Sequence, residues 1–249
     1  MGQLVFYGTS GWFETSQGAT SCVGLHLDEC VILFDLGTGL SRLPPESVRG
    51  RPLIVVLSHL HLDHSYGLHI LPRLKPSSLT LLTHRALAPH LKRLLAWPFT
   101  KPAEGLGYPV QILGLKNERL SRGSLEIDIQ ALEHNTPVIG ASVHTPDACV
   151  TYCVDTVMCH GLESLTRAPG TLILETAPPP DVATNGHHLT LDQQRVLLTN
   201  TRADRVVLTH FGATKFPSAE SRARQRQALE GSHSNLLIAH DGLELDVPA

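Results

Sequence analysis

The sequence holds no cysteine pair at Cys-x-x-Cys spacing, no apolar run long enough to span a bilayer and no surplus of basic charge. Its five cysteines, Cys22, Cys30, Cys149, Cys153 and Cys159, are odd in number. That argues against a disulfide framework and for a reducing compartment. Each reads as a small buried hydrophobe, and Cys149 and Cys153, four apart on one expected strand, share a face. Met1-Gly2-Gln3-Leu4-Val5 has neither a basic flank nor a long apolar region, so no signal peptide is expected. With no spanning run either, a cytoplasmic protein without membrane contact is expected. Lys and Arg number 20 against 23 Asp and Glu, a net charge of −3. A general nucleic-acid binder usually carries a basic face, and this balance lacks one. Gly37-Thr38-Gly39 lacks the third glycine of a dinucleotide fingerprint, because Arg42 stands in its place. A lone Gly-x-Gly is weak, and that reading is rejected.

What is present suits a globular chain: 249 residues, 42% of them hydrophobic, enough for a large core. No internal linker and no short-period repeat is visible, so residues 1–249 read as one domain. Leu4 to Tyr7 reads as a strand, and residues 8–18 as a loop. Val23 to Leu27 and Val31 to Asp35 read as a hairpin. Leu53-Ile54-Val55-Val56-Leu57 is a continuous apolar run, as in a strand buried on both faces. Leu79 to Thr83 and Val110 to Leu113 are further strands, with a helix over residues 86–96 between them. Leu125 to Leu132 alternates strictly, which marks a half-buried strand. Two strands follow, about 138–145 and 149–154, turned at Pro146-Asp147. Leu172 to Thr176 and Arg205 to Thr209 are strands, and helices are expected over 161–168, 191–200 and 218–230. Thr190 is the expected N-cap of the second of these. Trp97 and Phe99, among prolines in a loop to about Pro109, suit a substrate pocket, a dimer contact or a cover for the core edge.

The chemistry concentrates in His59-Leu60-His61-Leu62-Asp63-His64, three imidazoles and a carboxylate in six residues. It stands where the buried strand ends, the position at which open α/β architectures gather their sites. Imidazole and carboxylate are ligands for zinc and similar cations. His59 and His61, two apart in extended chain, face one side. Asp63 and His64 are adjacent and cannot both point there, which suggests two neighbouring metals. His134 follows the alternating strand, Asp155 the next hairpin, and His210 the strand Arg205 to Thr209. The hairpin places His134 near Asp155 and leaves His144 near Cys149 at the other end, so His134 is the expected ligand.

His-x-His-x-Asp-His resembles the signature of the metallo-β-lactamase superfamily, and His134, Asp155 and His210 follow in the order of its later motifs. Tyr7-Gly8-Thr9-Ser10-Gly11, Phe34-Asp35-Leu36-Gly37-Thr38-Gly39 and Ala239-His240-Asp241-Gly242 resemble its ribonuclease Z-like branch. The resemblance covers essentially the whole chain. It implies an α/β fold, the αββα four-layer sandwich, and a homodimer. It implies that His59, His61 and His134 hold one divalent metal, that Asp63, His64 and His210 hold a second, and that Asp155 bridges them. Zinc is the default, with Mn²⁺ or Fe equally compatible with a His/Asp set. A metal-bridging hydroxide would attack the scissile centre. His187 and His188 are the candidate proton donors. His188-Leu189-Thr190 resembles the branch's His-x-Thr element, with Glu175 orienting His188. Asp63, His188 and Glu175 are thus the expected catalytic residues, and Asp35 a supporting one. Ribonuclease Z carries an arm for transfer RNA between the third and fourth motifs, and here only a hairpin separates His134 from Asp155. A small, cyclic phosphodiester is therefore the expected substrate and nucleic acid the less favoured one. A lactonase, thioesterase or sulfatase, a tRNA 3′-processing-like nuclease, and a non-catalytic nucleotide-binding sensor are the rival readings.

Overall fold

The structure, a computed structural model, describes residues 2–179, 182 and 186–248. Two seven-stranded sheets dominate it. The first runs, in spatial order, Glu244–Val247, Gly2–Gly8, Cys22–His26, Val31–Phe34, Pro52–Val56, Ser78–His84 and Val110–Leu115. The second runs Leu236–Ile238, Arg205–Thr209, Thr171–Glu175, Cys149–Cys153, Val138–His144, Leu125–Leu132 and Glu118–Arg122. Each sheet mixes antiparallel pairs with parallel ones.

Alternation along the strands sorts the core into layers. Ile32, Phe34, Ile54 and Val56 face Ile127, Ile139, Tyr152 and Ile173 across the gap between the sheets. Their sequence neighbours Val31, Leu33, Leu53 and Val55 point the other way, onto Leu40, Leu71 and Leu91. On the far side Leu172, Leu174, Val206 and Leu208 pack on Leu162, Leu165, Leu197 and Leu198 of the covering helices. A strand with apolar residues on both faces must be covered on both, and the result is helix, sheet, sheet, helix. This is the αββα sandwich.

The helix Leu191–Asn200 begins where expected, because Thr190 and Gln193 exchange hydrogen bonds in a capping box. Three features go beyond the elements read from the sequence. The segment after the histidine motif is one α-turn, Leu62–Ser65, continued as the 3-10 stretch Tyr66–Arg73. Gly67 packs its backbone onto the Leu36 carbonyl, with an N–H···O distance of 2.6 Å, and Pro72 offers no donor. Glu118–Arg122 is an edge strand that carries no apolar alternation to betray it. Within the expected loop 8–18, Ser10–Gly11 pairs in parallel with Phe211–Gly212 as a small separate ribbon. No helix among the described residues is long and apolar enough to cross a membrane.

Candidate metal centre

Several strands of both sheets end at one edge of the sandwich, and each delivers a polar side chain there. Val31–Phe34 delivers Asp35, Pro52–Val56 leads to Ser58 and His59, and Leu125–Leu132 leads to His134. Cys149–Cys153 leads to Asp155, Thr171–Glu175 ends on Glu175, and Arg205–Thr209 leads to His210. Asp35, Asp155 and His210 have φ of 60°, 51° and 55°. Non-glycine residues rarely take this left-handed region, and held strain of this kind clusters at functional sites.

The structure brings the seven sequence-predicted ligands into two groups that share Asp155. His59, His61, His134 and Asp155 form one, and Asp63, His64, Asp155 and His210 the other. Within each, one donor atom per residue lies within 4.8 Å of the rest. His64 Nε2 is 2.9 Å from Asp155 Oδ2 and 3.2 Å from His210 Nε2. His59 Nε2 is 3.4 Å from Asp155 Oδ2 and 2.8 Å from His61 Nδ1.

The far sides of the His64 and His134 rings are tied down. His64 Nδ1 donates to Asp35 Oδ2 at 2.7 Å, and His134 Nδ1 donates to the His187 carbonyl at 2.9 Å. Both rings therefore turn Nε2 to the cluster, the tautomer a metal requires. Asp35 is buried and also accepts from the Ser58 N–H at 2.7 Å, the Ser58 hydroxyl at 2.9 Å and the Tyr152 hydroxyl at 2.7 Å. On the other flank, Gly11 leaves room for His210: a Cβ there would stand 2.6 Å from the His210 Cε1.

The electrostatics are those of a crowded polar cluster. Burial and the neighbouring His64 hold His59 well below the usual histidine range. Burial also opposes charge on His64, but Asp35, Asp63 and Asp155 outweigh it and hold its pKa well above that range. Burial favours neutral Asp155, yet His210, His64 and His59 keep it well below the usual carboxylate range. Asp155 Oδ1 is buried with no hydrogen-bond partner. Buried polar atoms are almost always satisfied. An orphaned carboxylate oxygen among imidazole nitrogens that face one another fits divalent cations between them. The donors are all nitrogen and oxygen, compatible with zinc, manganese or iron.

Glu175 and His188 stand beside this cluster. His188 Nδ1 is 2.8 Å from Glu175 Oε2 and 3.5 Å from Asp155 Oδ1. Burial alone would lower its pKa, but the Glu175 carboxylate raises it. Glu175 Oε1 also accepts from the Thr156 N–H at 2.8 Å, which fixes the carboxylate. His187 lies farther out, its ring centroid 5.9 Å from that of His134. His144 sits at the opposite end of its strand, opposite Cys149.

A cavity of about 630 Å³ opens over the cluster, lined by Trp12, Leu62, His61, His188, His210 and Lys215 among others. Trp12, Leu62 and Lys215 were not signalled by the sequence, since nothing in one chain marks a loop residue as lining a site. Trp97 is 83% exposed and covers no core edge. Phe99 lines a smaller cavity that shares His61 with the first.

Fold and site together define a metallo-β-lactamase-fold protein of the hydrolase type. The model of the beta-lactamase superfamily domain matches residues 31–211, and the chain belongs to that superfamily. No curated protein matches the sequence. Among solved structures, the metallo-beta-lactamase fold protein YhfI from Bacillus subtilis is similar at 18% identity and a TM-score of 0.78, with 98% of each chain covered. The short form of human tRNase Z is similar at 20% identity and a TM-score of 0.74, covering 99% of this chain and 100% of its own. A diphosphatase of the PhnP family is similar at 17% identity and a TM-score of 0.72, covering 99% and 98%.

Proposed function

We infer that this protein is a dinuclear metal-dependent phosphodiesterase acting on a small, cyclic phosphodiester. The observation that carries the reading is the pair of His/Asp groups sharing Asp155, with the His188–Glu175 pair against that same residue. His59, His61 and His134 would hold one divalent cation and Asp63, His64 and His210 the other, with Asp155 between them. Such cations supply Lewis acidity, lowering the pKa of a water ligand and drawing charge off the phosphoryl oxygens.

The chain's own residues do the rest. Glu175 fixes the His188 ring through Nδ1 and leaves Nε2 to hand a proton to the departing alkoxide. Asp35 and the His187 carbonyl hold His64 and His134 in one tautomer. Similarity to a tRNase Z and to a PhnP-family diphosphatase supports phosphoester chemistry. Between His134 and Asp155 the chain forms only the hairpin Val138–His144 and Cys149–Cys153, with no arm to grip a transfer RNA. Incubation of metal-loaded protein with bis(p-nitrophenyl) phosphate, a cyclic nucleotide, a lactone and an aryl sulfate tests the reading. Turnover of the two diesters is expected. Turnover of the lactone or sulfate alone would refute it, and metal and nucleotide binding with no turnover would identify a sensor.

A further inference from the structure

The small ribbon at the site delivers two side chains that the reaction does not use. Ser10–Gly11 runs parallel to Phe211–Gly212, with Gly11 opposite Gly212. Parallel strands leave a ribbon on the same side, so the segments that follow stand together beside His210. One begins with Trp12 and the other carries Lys215, and both line the 630 Å³ cavity with Leu62.

Trp12 has φ of 74°, a conformation costly for a bulky residue. Its N–H is held by Asp63 Oδ2 at 2.7 Å, so the backbone is locked to a residue of the metal cluster. The indole nevertheless buries little: it is 69% exposed and meets the Phe13 ring edge-on at 5.1 Å. Leu62, on the same rim, is 72% exposed. A large apolar surface held out at the mouth of a cavity by a strained backbone suits a ligand better than a core. Lys215 lays its stem on Gly212, where a Cβ would stand 3.4 Å from its Cδ. It has no carboxylate partner among the described residues, and its charge reaches His188.

We propose that Trp12 and Lys215 are specificity residues that select a phosphodiester bearing a nucleobase: Trp12 stacks on the base and the Lys215 ammonium pairs with a phosphoryl oxygen. A planar aromatic and an anion a few ångströms apart are the two handles of a nucleotide, and this rim offers a matching indole and cation. The cavity has the size of sites that take one small organic ligand. The proposal rests on the phosphodiesterase reading but adds a preference that reading does not contain.

Two measurements test it. The chain has two tryptophans, Trp12 and Trp97, so Trp97→Phe leaves Trp12 as the sole reporter. Titration of that variant with adenosine 5′-monophosphate should quench its fluorescence saturably, and ribose 5-phosphate should not. Equal responses to the two, or none to the nucleotide, would overturn the stacking role. In steady state, Trp12→Ala should raise KM for adenosine 2′,3′-cyclic phosphate by roughly 5- to 150-fold, the range of one lost base stack. It should leave glycerol 1,2-cyclic phosphate unchanged, and Trp12→Phe should keep most of the preference. Lys215→Met should raise KM for both diesters and spare a neutral ester. Equal effects of Trp12→Ala on both diesters would refute base selection. Saturable quenching without turnover of any diester would sink the phosphodiesterase reading and leave nucleotide selection standing.

Discussion

Asp35→Asn is the substitution whose outcome is worked most directly from the structure. Asp35 is wholly buried, and its two oxygens accept four donors. Oδ1 takes the Ser58 N–H, and Oδ2 takes the Ser58 hydroxyl, His64 Nδ1 and the Tyr152 hydroxyl. An amide has one acceptor oxygen. With that oxygen in the Oδ2 position, its NH₂ meets the Ser58 N–H; reversed, it meets three donors. At least one donor on each side loses its partner. A buried unsatisfied group costs about 1–3 kcal/mol, so a loss of about 2–4 kcal/mol is expected. For a chain of this length that corresponds to a fall in Tm of roughly 4–16 °C. The second effect is on His64, whose tautomer Asp35 imposes. Loss of such an orienting partner typically weakens metal binding about 10–100-fold. The weakening should fall mainly on the Asp63/His64/His210 group, because Asp35 reaches the other group only through the Ser58 hydroxyl, 3.0 Å from His59 Nδ1. Calorimetry and a chelator-competition titration read the two effects separately. Tyr152→Phe is the control: it removes one donor, leaves Asp35 satisfied and should cost less than about 1.5 kcal/mol with both metal affinities intact. Unchanged stability and unchanged affinity at both groups in Asp35→Asn would refute the reasoning.

Fully loaded protein should contain about two divalent metals per chain, and His64→Ala or His210→Ala should weaken one while leaving the other bound; elemental analysis giving one metal in wild type contradicts the shared-Asp155 arrangement. His188→Ala should lower kcat about 10²–10⁴-fold on diesters with poor leaving groups and far less on nitrophenyl esters, with metal content preserved. Glu175→Gln should show the same pattern more weakly, and equal losses on both kinds of leaving group would point to binding instead. Gly11→Ala puts a Cβ 2.6 Å from the His210 ring. It should displace that ring and weaken the His210-bearing group at a stability cost of about 1–3 kcal/mol, and metal titration matching wild type would show that the ribbon yields instead. The expected homodimer is checked by light scattering at micromolar concentration, where a monomer mass removes it.

The layers and the convergence point were legible because local and global preferences agree there. Leu53 to Leu57 is apolar on every residue, so it had to be covered on both sides, and the polar residues after it had to fall at an edge. The alternation of Leu125 to Leu132 announced a strand with one face in the core, and the hairpin register put Asp155 at the same end as His134 and removed His144. Thr190 marked the start of a helix, and the structure adds Gln193 as its capping-box partner. What escaped has no period to read. Glu118–Arg122 is a strand because it has a neighbour to pair with, and its charges suit an exposed edge. The turn after His64 tightens to a 3-10 stretch through one glycine contact with Leu36, distant in sequence.

The residues least readable from local preference are those the site uses most. Asp35, Asp155, His210 and Trp12 all stand at positive φ, and Lys75 alone among the described non-glycine residues does so elsewhere. Propensity rules predict what a segment prefers, and none of these four prefers the conformation it holds. Asp35 and Trp12 are held by bonds their own segments cannot supply, and His210 by its place against the ribbon. Asp35 is held by Ser58, His64 and Tyr152, and Trp12 by Asp63. His210 stands against Gly11 in the ribbon that the Phe211 N–H extends to the Thr9 carbonyl at 2.9 Å. The Tyr152 bond to Asp35 and the Phe211 bond to Thr9 cross between the two sheets, and the others join segments far apart in sequence, so the fold must be complete before these conformations are held. The strain is therefore a mark of where tertiary structure overrides sequence, and here that place coincides with the shared carboxylate of Asp155, the Asp35 carboxylate that holds His64, the His210 imidazole and the exposed indole at the cavity mouth.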